Sequence, residues 1–224
     1  MAPHPDREDD LYGSAAAVYD LATALWSGGA IWRTRAWCLE GLRPEESVFI
    51  PGPGSCRTAV LAAQRGARVL AVERSPAMHR LARRRIERAG ADVELVLGDW
   101  EEVAAGRTFD LVVAEHFLNV FDAARMPWVR EALIRRVAPG GRFAIADFRP
   151  VVHGPLAPLQ RLHHLIPLGG CSLLTRNAMH PIHDHGTHLA DRPDLRAVLE
   201  RDARSFRAGP AWFRAWIYEK IGSA

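Results

Sequence analysis

Ser47-Val48-Phe49-Ile50-Pro51-Gly52-Pro53-Gly54-Ser55-Cys56 decides the fold. The first four residues include β-branched and aromatic side chains that favour a short strand, and the Gly- and Pro-rich run after them stops it in a tight turn. Arg57 to Arg65 continues as a helix with Gly66 as its stop, and Ala67 to Val72 is a second apolar strand. Glu73 stands at that strand's carboxyl end. In an open parallel α/β sheet this layout puts a ligand in the crevice at the strand ends. Glycines let the backbone approach it, and an acid on the second strand takes the two hydroxyls of a ribose.

The third strand, Val93 to Leu97, ends in Gly98-Asp99-Trp100, an acid beside an aromatic ring, suited to the amino group and face of adenine. The fourth, Phe109 to Ala114, leads through Glu115 to Phe121 into a helix over Trp128–Val137, and Pro139-Gly140-Gly141 then turns into a strand from Arg142 to Phe148. The ordered set Gly52-x-Gly54, Glu73, Asp99-Trp100, Phe109-Asp110-Leu111-Val112 and Pro139-Gly140-Gly141-Arg142 resembles the class I S-adenosylmethionine (SAM) dependent methyltransferases over residues 45–150. The resemblance implies an α/β fold: a Rossmann-like, mostly parallel sheet with helices on both faces, an N-terminal helical lid and a C-terminal antiparallel hairpin. It implies SAM as cofactor, held by Pro51, Gly52, Gly54, Glu73, Arg74, Asp99 and Trp100, with Glu115 at the methionine end.

Ahead of the first strand, residues 1–9 read as a tail, and Asp10 to Leu42 is helical by the spacing of Leu11, Ala15, Val18, Leu25 and Ile31, with a break at Ser27-Gly28-Gly29. Tyr19-Asp20-Leu21, Trp32-Arg33 and, later, Leu118-Asn119-Val120 resemble the ubiquinone/menaquinone-biosynthesis C-methyltransferases. By that likeness Tyr19 and Trp32 help close the site over the cofactor; aromatics in a helix–helix seam are the alternative. The expected organisation is a tail with lid helices over 1–44 and a SAM-binding domain over 45–224, with a substrate-pocket insert at 150–190. The chain's end reads as a helix over Arg192–Arg201 and then a closing hairpin around Ala208-Gly209-Pro210.

A sulfonium methyl donor needs mainly alignment and a dry site, with a base only for a phenol, a carbon acid or a protonated amine. His116, at the end of a central strand, is the first choice for that base, with Asn119 and His183 beside it as catalytic residues. His180, His183, His185, His188 and Asp184 form a histidine-rich stretch that matches neither zinc-finger nor zincin spacing, so histidines of an acceptor pocket are expected rather than a metal. Two residues depart from the family: Ile50 stands where an acid usually organises the SAM amino group, and Cys56 stands where a third glycine is usual. Methyl transfer to a small molecule is the main reading. The departures keep two others open: an enzyme in which the methionine tail reacts (cyclisation to azetidine-2-carboxylate or aminocarboxypropyl transfer, releasing methylthioadenosine), and a non-catalytic SAM-binding module.

Composition sets outer limits. A length of 224 residues suits one domain of this kind, and the net charge of +3 with interleaved acids argues against a nucleic-acid partner. Scattered cysteines and the lack of a long apolar run point to a soluble, cytoplasmic protein, and the family resemblance implies a small-molecule substrate.

Overall fold

The computed structural model describes residues 20–151, 154–165, 182–206 and 209–222. Seven strands form one sheet: β1 (Ser47–Pro51), β2 (Arg68–Glu73), β3 (Val93–Leu97), β4 (Phe109–Glu115), β5 (Val137–Phe148), β6 (Leu195–Arg204) and β7 (Ala211–Lys220). Their order is β3-β2-β1-β4-β5-β7-β6. The first five are parallel and β7 runs antiparallel between β5 and β6. Pro51, Glu73, Glu115 and Phe148 therefore end neighbouring strands along one edge, which is where the reversal of strand order opens a crevice.

Alternation along the strands builds two apolar layers. Val48, Ile50, Val69, Ala71, Leu111 and Val113 face α2 (Ala30–Trp37), α3 (Arg57–Gln64) and α4 (Pro76–Ala89). Phe49, Leu70, Val72, Val112, Phe143 and Ile145 face α5 (Trp100–Val103), α6 (Met126–Arg135) and α8 (His185–Ala190). Two further helical stretches, α1 (20–27) and α7 (157–165), lie near the crevice edge, where Trp26 and His163 stack. Gly28 and Gly29, both at positive φ, separate α1 from α2 as the sequence predicts. α2 packs against β5, β6 and β7, while α1 brings Asp20 to the glycine turn.

One expectation fails. Residues 192–201 are not a helix: β6 spans Leu195–Arg204 as the sheet's edge strand. Only Leu195 and Ala203 are buried, so its charged residues hide the two-residue alternation a strand normally shows, and Leu195 and Leu199 mimic helical spacing. Cross-strand pairs hold this edge instead: Arg196 faces Glu219, and Arg214 reaches both Glu200 and Asp202.

Candidate active site

Gly52 and Gly54 adopt φ of +56° and +55°, the left-handed region glycine enters freely. The Gly52 amide donates to Val72 O at 2.9 Å, and a Cβ on Gly52 would lie 2.6 Å from the Phe117 ring, so the turn is closed down on that ring. Cys56 also has a positive φ, +59°, at the start of α3. The backbone keeps the conformation a glycine would take although the residue is cysteine. Burial raises the Cys56 thiol's pKa, with Glu115 and Glu73 adding to the effect, so this cysteine is no thiolate nucleophile.

Glu73 accepts from the Ser75 amide at 2.8 Å and the Gly54 amide at 3.3 Å, which fixes its carboxylate over the turn. Burial raises its pKa, and those amides oppose the rise. Just past the neighbouring strand β3, Asp99 caps α5 by accepting from Glu101 N at 2.8 Å, and Trp100 is buried edge-on to Phe117. Arg74 is exposed beside Glu73.

On the other side of the turn the acids are engaged. Glu115 is buried, accepts from the Thr58 hydroxyl and faces Arg35 Nε at 3.8 Å. Its pKa is raised by burial, against Arg35 and Thr58. Asp20 accepts from the Ser55 hydroxyl at 2.8 Å and pairs with Arg85 at 2.6 Å. Trp32 lies on the α3 side, its ring 4.6 Å from the Arg57 guanidinium.

A second polar cluster sits where β4 and β5 end. Its centre is Asp147, a buried residue that closes the otherwise apolar run Phe143 to Ala146. One carboxylate oxygen accepts from Asn119 Nδ2 and from the Phe148 amide, both at 2.8 Å, and the other accepts from His185 Nε2 at 3.2 Å. His116 Nδ1 stands 3.8 Å from the same carboxylate. Burial alone would push the Asp147 carboxyl up, but the hydrogen bond and charge of His185, the charge of His116 and the Phe148 amide hold it below the usual carboxylate range. Burial lowers His116 to about 4, against the pull of Asp147, so its ring is neutral near pH 7. His116 Nε2 is buried with no hydrogen-bond partner among the described residues, and its φ of +51° is the left-handed region again. Phe148 and Phe213 flank the His116 ring, and Trp26, His163, His164 and Trp212 extend that aromatic wall.

Residues 49–141 match the family model for a methyltransferase domain. A Thermus thermophilus demethylmenaquinone methyltransferase is 30% identical over 169 residues, covering 71% of this chain and 76% of that protein. The chain belongs to the class I SAM-dependent methyltransferases. A Streptomyces cypemycin N-terminal methyltransferase is 33% identical over 136 residues (57% of this chain), and a Methylorubrum populi protein-L-isoaspartate O-methyltransferase is 37% identical over 108 residues (46% of this chain). The chain spans about half the length of these two relatives, 52% and 46%. Among solved structures, Burkholderia thailandensis 1,6-didemethyltoxoflavin-N1-methyltransferase has a TM-score of 0.61 at 17% identity, covering 99% of this chain and 92% of that one. The N-methyltransferase NodS of Bradyrhizobium japonicum in complex with S-adenosylhomocysteine has a TM-score of 0.62 at 13% identity, with 87% of each chain covered. These likenesses show the fold.

SAM is the methyltransferase's cofactor, and the adenosine half of the crevice fits it. A bare glycine turn, a carboxylate oriented by two amides on β2, and an acid with an indole after β3 are the donor set a nucleoside requires. At the methionine half, Ile50 is buried in the core and Glu115 already has partners. Of the sequence-derived catalytic residues, His116 and Asn119 meet at Asp147. His183 instead donates from Nε2 to the Phe121 carbonyl at 2.9 Å, tying the segment before α8 to the loop after β4. Tyr19 and His180 lie outside the described residues. Asp147 is missed by the sequence reading, which names His185 only among the histidines expected in an acceptor pocket. An acid ending a buried apolar strand, as Glu73 and Asp99 do around their own strands, is the signal that singles out Asp147. Among the described residues no group of three or more His, Cys, Asp or Glu is arranged to hold a metal, and no helix is long and apolar enough to cross a membrane.

Proposed function

We propose that this methyltransferase transfers the SAM methyl group in line to a small, ring-bearing acceptor, with His116 as general base. The observation that carries the reading is the buried Asp147 carboxylate, on which Asn119 and His185 converge and which His116 faces, beside an aromatic wall. SAM, when bound, supplies a methyl group on a sulfonium with a good leaving group. The protein's part is to align the acceptor, exclude water and receive a proton.

Pro51, Gly52, Gly54, Glu73, Arg74, Asp99 and Trp100 hold the adenosine in this reading. As methyl transfer proceeds, the proton on the acceptor nitrogen, oxygen or carbon passes to His116 Nε2. The imidazolium then faces the Asp147 carboxylate, and its depressed pKa returns the proton to solvent. Asn119 and His185 hold Asp147 in place. Phe148, Phe213 and the neighbouring rings keep the acceptor side apolar, which suits a planar substrate. The names of the demethylmenaquinone and didemethyltoxoflavin enzymes, which specify small ring-bearing acceptors, support this substrate class. Free, buried Cys38 and Cys56 support a reducing, cytoplasmic setting.

The test is a matched panel of acceptors with SAM: small phenols, ring amines and carbon acids against peptides with free N-termini. Methylation of a small ring compound, detected by mass, is expected. Methylation of peptides alone would sink the proposal.

A further inference from the structure

Leu81, Arg84, Arg85 and Arg88 share the face of α4 beside α3 by their three-and-four spacing, with Arg84 and Arg88 exposed and Arg85 half-buried. They line a groove of about 640 Å³ between α3, α4 and Trp32 of α2, a size in the range of small-ligand sites. None of Gly52, Gly54, Glu73, Asp99 or Trp100 lines it.

Four guanidiniums, Arg57, Arg84, Arg85 and Arg88, meet there with one carboxylate, Asp20. Arg85 is engaged with Asp20 and with the Ser55 carbonyl at 3.0 Å. Arg57 lies over the Trp32 ring, and among the described residues no acid pairs with Arg57, Arg84 or Arg88. Converging like charges without counter-charges is unfavourable, and a concave wall focuses their field. Guanidinium forks match phosphate and carboxylate oxygens bidentately. Leu61, Val60 and Leu81 give the groove an apolar floor for the body of a ligand.

We infer that this groove binds a small polyanion, a ligand carrying two or more phosphate or carboxylate groups, at a site separate from the SAM crevice. The anionic groups bridge Arg57 to the Arg84–Arg88 row, and Arg85 stays on Asp20, which links the site to the glycine turn through Ser55.

Calorimetric titration of the full chain with inorganic tripolyphosphate and with citrate, at low ionic strength, tests the inference. The same titrations follow on R84Q/R88Q, with S-adenosylhomocysteine binding measured in both proteins. Saturable binding is expected, weakened at least ~10-fold in the double variant and weakened by added salt, while S-adenosylhomocysteine affinity stays within ~2-fold. Absence of binding at millimolar concentration, binding that the substitutions leave unchanged, or competition with S-adenosylhomocysteine would each overturn it. Tighter binding of an Asp/Glu-rich decapeptide than of either probe would replace the small ligand with a protein partner.

Discussion

The Asp147 carboxylate stands 3.8 Å from Nδ1 of His116, one residue closing β5 and the other following β4. The parallel register that pairs Glu115 with Ala146 is what sets them side by side. A base at His116 depends on that neighbour, since Asp147 is the group that favours its protonated form. Asp147→Asn keeps the shape and removes the charge. Methyl transfer is expected to fall on the order of 10²-fold with S-adenosylhomocysteine affinity little changed, and the acid limb of the pH–rate profile should move to lower pH. An unshifted profile in an otherwise slowed enzyme would assign Asp147 a structural role only.

Glu73 carries the ribose in this account. Glu73→Ala removes charge-assisted hydrogen bonds worth about 1.5–3 kcal/mol each, so S-adenosylhomocysteine should bind at least ~10-fold more weakly by calorimetry. Wild-type affinity in this variant would mean the nucleoside lies elsewhere.

Gly52 has no room for a side chain. Gly52→Ala places a methyl 2.6 Å from the Phe117 ring and adds the strain of a positive φ, of the order of 1–2 kcal/mol. A lowered melting temperature is expected, and Phe117→Ala in the same chain should relieve the clash, so that the double variant loses less stability than the two single losses summed. Additive losses would contradict the contact.

Acid should loosen the aromatic wall around His116. His116, His163 and His164 each have a pKa lowered to about 4, chiefly by burial, with Arg35 near His116 and His163 near His164 pushing the same way and Asp147 opposing at both His116 and His164. The unfolded chain takes up these protons near pH 6.5 and the folded chain only near pH 4. Stability is therefore full above pH 6.5 and is lost as pH falls from 6.5 toward 4. Melting temperatures across that window should drop, and His163→Phe, at the ring stacked 4.1 Å from Trp26 and tilted against Trp212 at 4.3 Å, should flatten the slope. A flat wild-type profile would refute this.

Legibility in the sequence followed locality. The glycine turn, Glu73 and Asp99-Trp100 each sit at the junction of a strand with its turn or helix, so their place at the crevice can be read from a few neighbouring residues. Asp147 could not be read that way, because its partners Asn119 and His185 come from 28 residues before and 38 after it and meet only through the β4–β5 register and the seating of α8. His183 was singled out and His185 was not, since nothing in His-Asp-His tells which ring points to the sheet. The edge strand β6 was misread because its charges pair across strands rather than marking one face. The groove beside α4 was not legible either, because only the packing of α3 against that helix brings Arg57 to the Arg84–Arg88 row.

The central claim is that the methyl group of SAM reacts, rather than its methionine tail. Incubating the pure protein with SAM, with and without a ring-bearing acceptor, and identifying the nucleoside product by mass spectrometry tests it most directly. S-adenosylhomocysteine formed only when the acceptor is present is the predicted result. Methylthioadenosine above the buffer control, with no acceptor added, would contradict it.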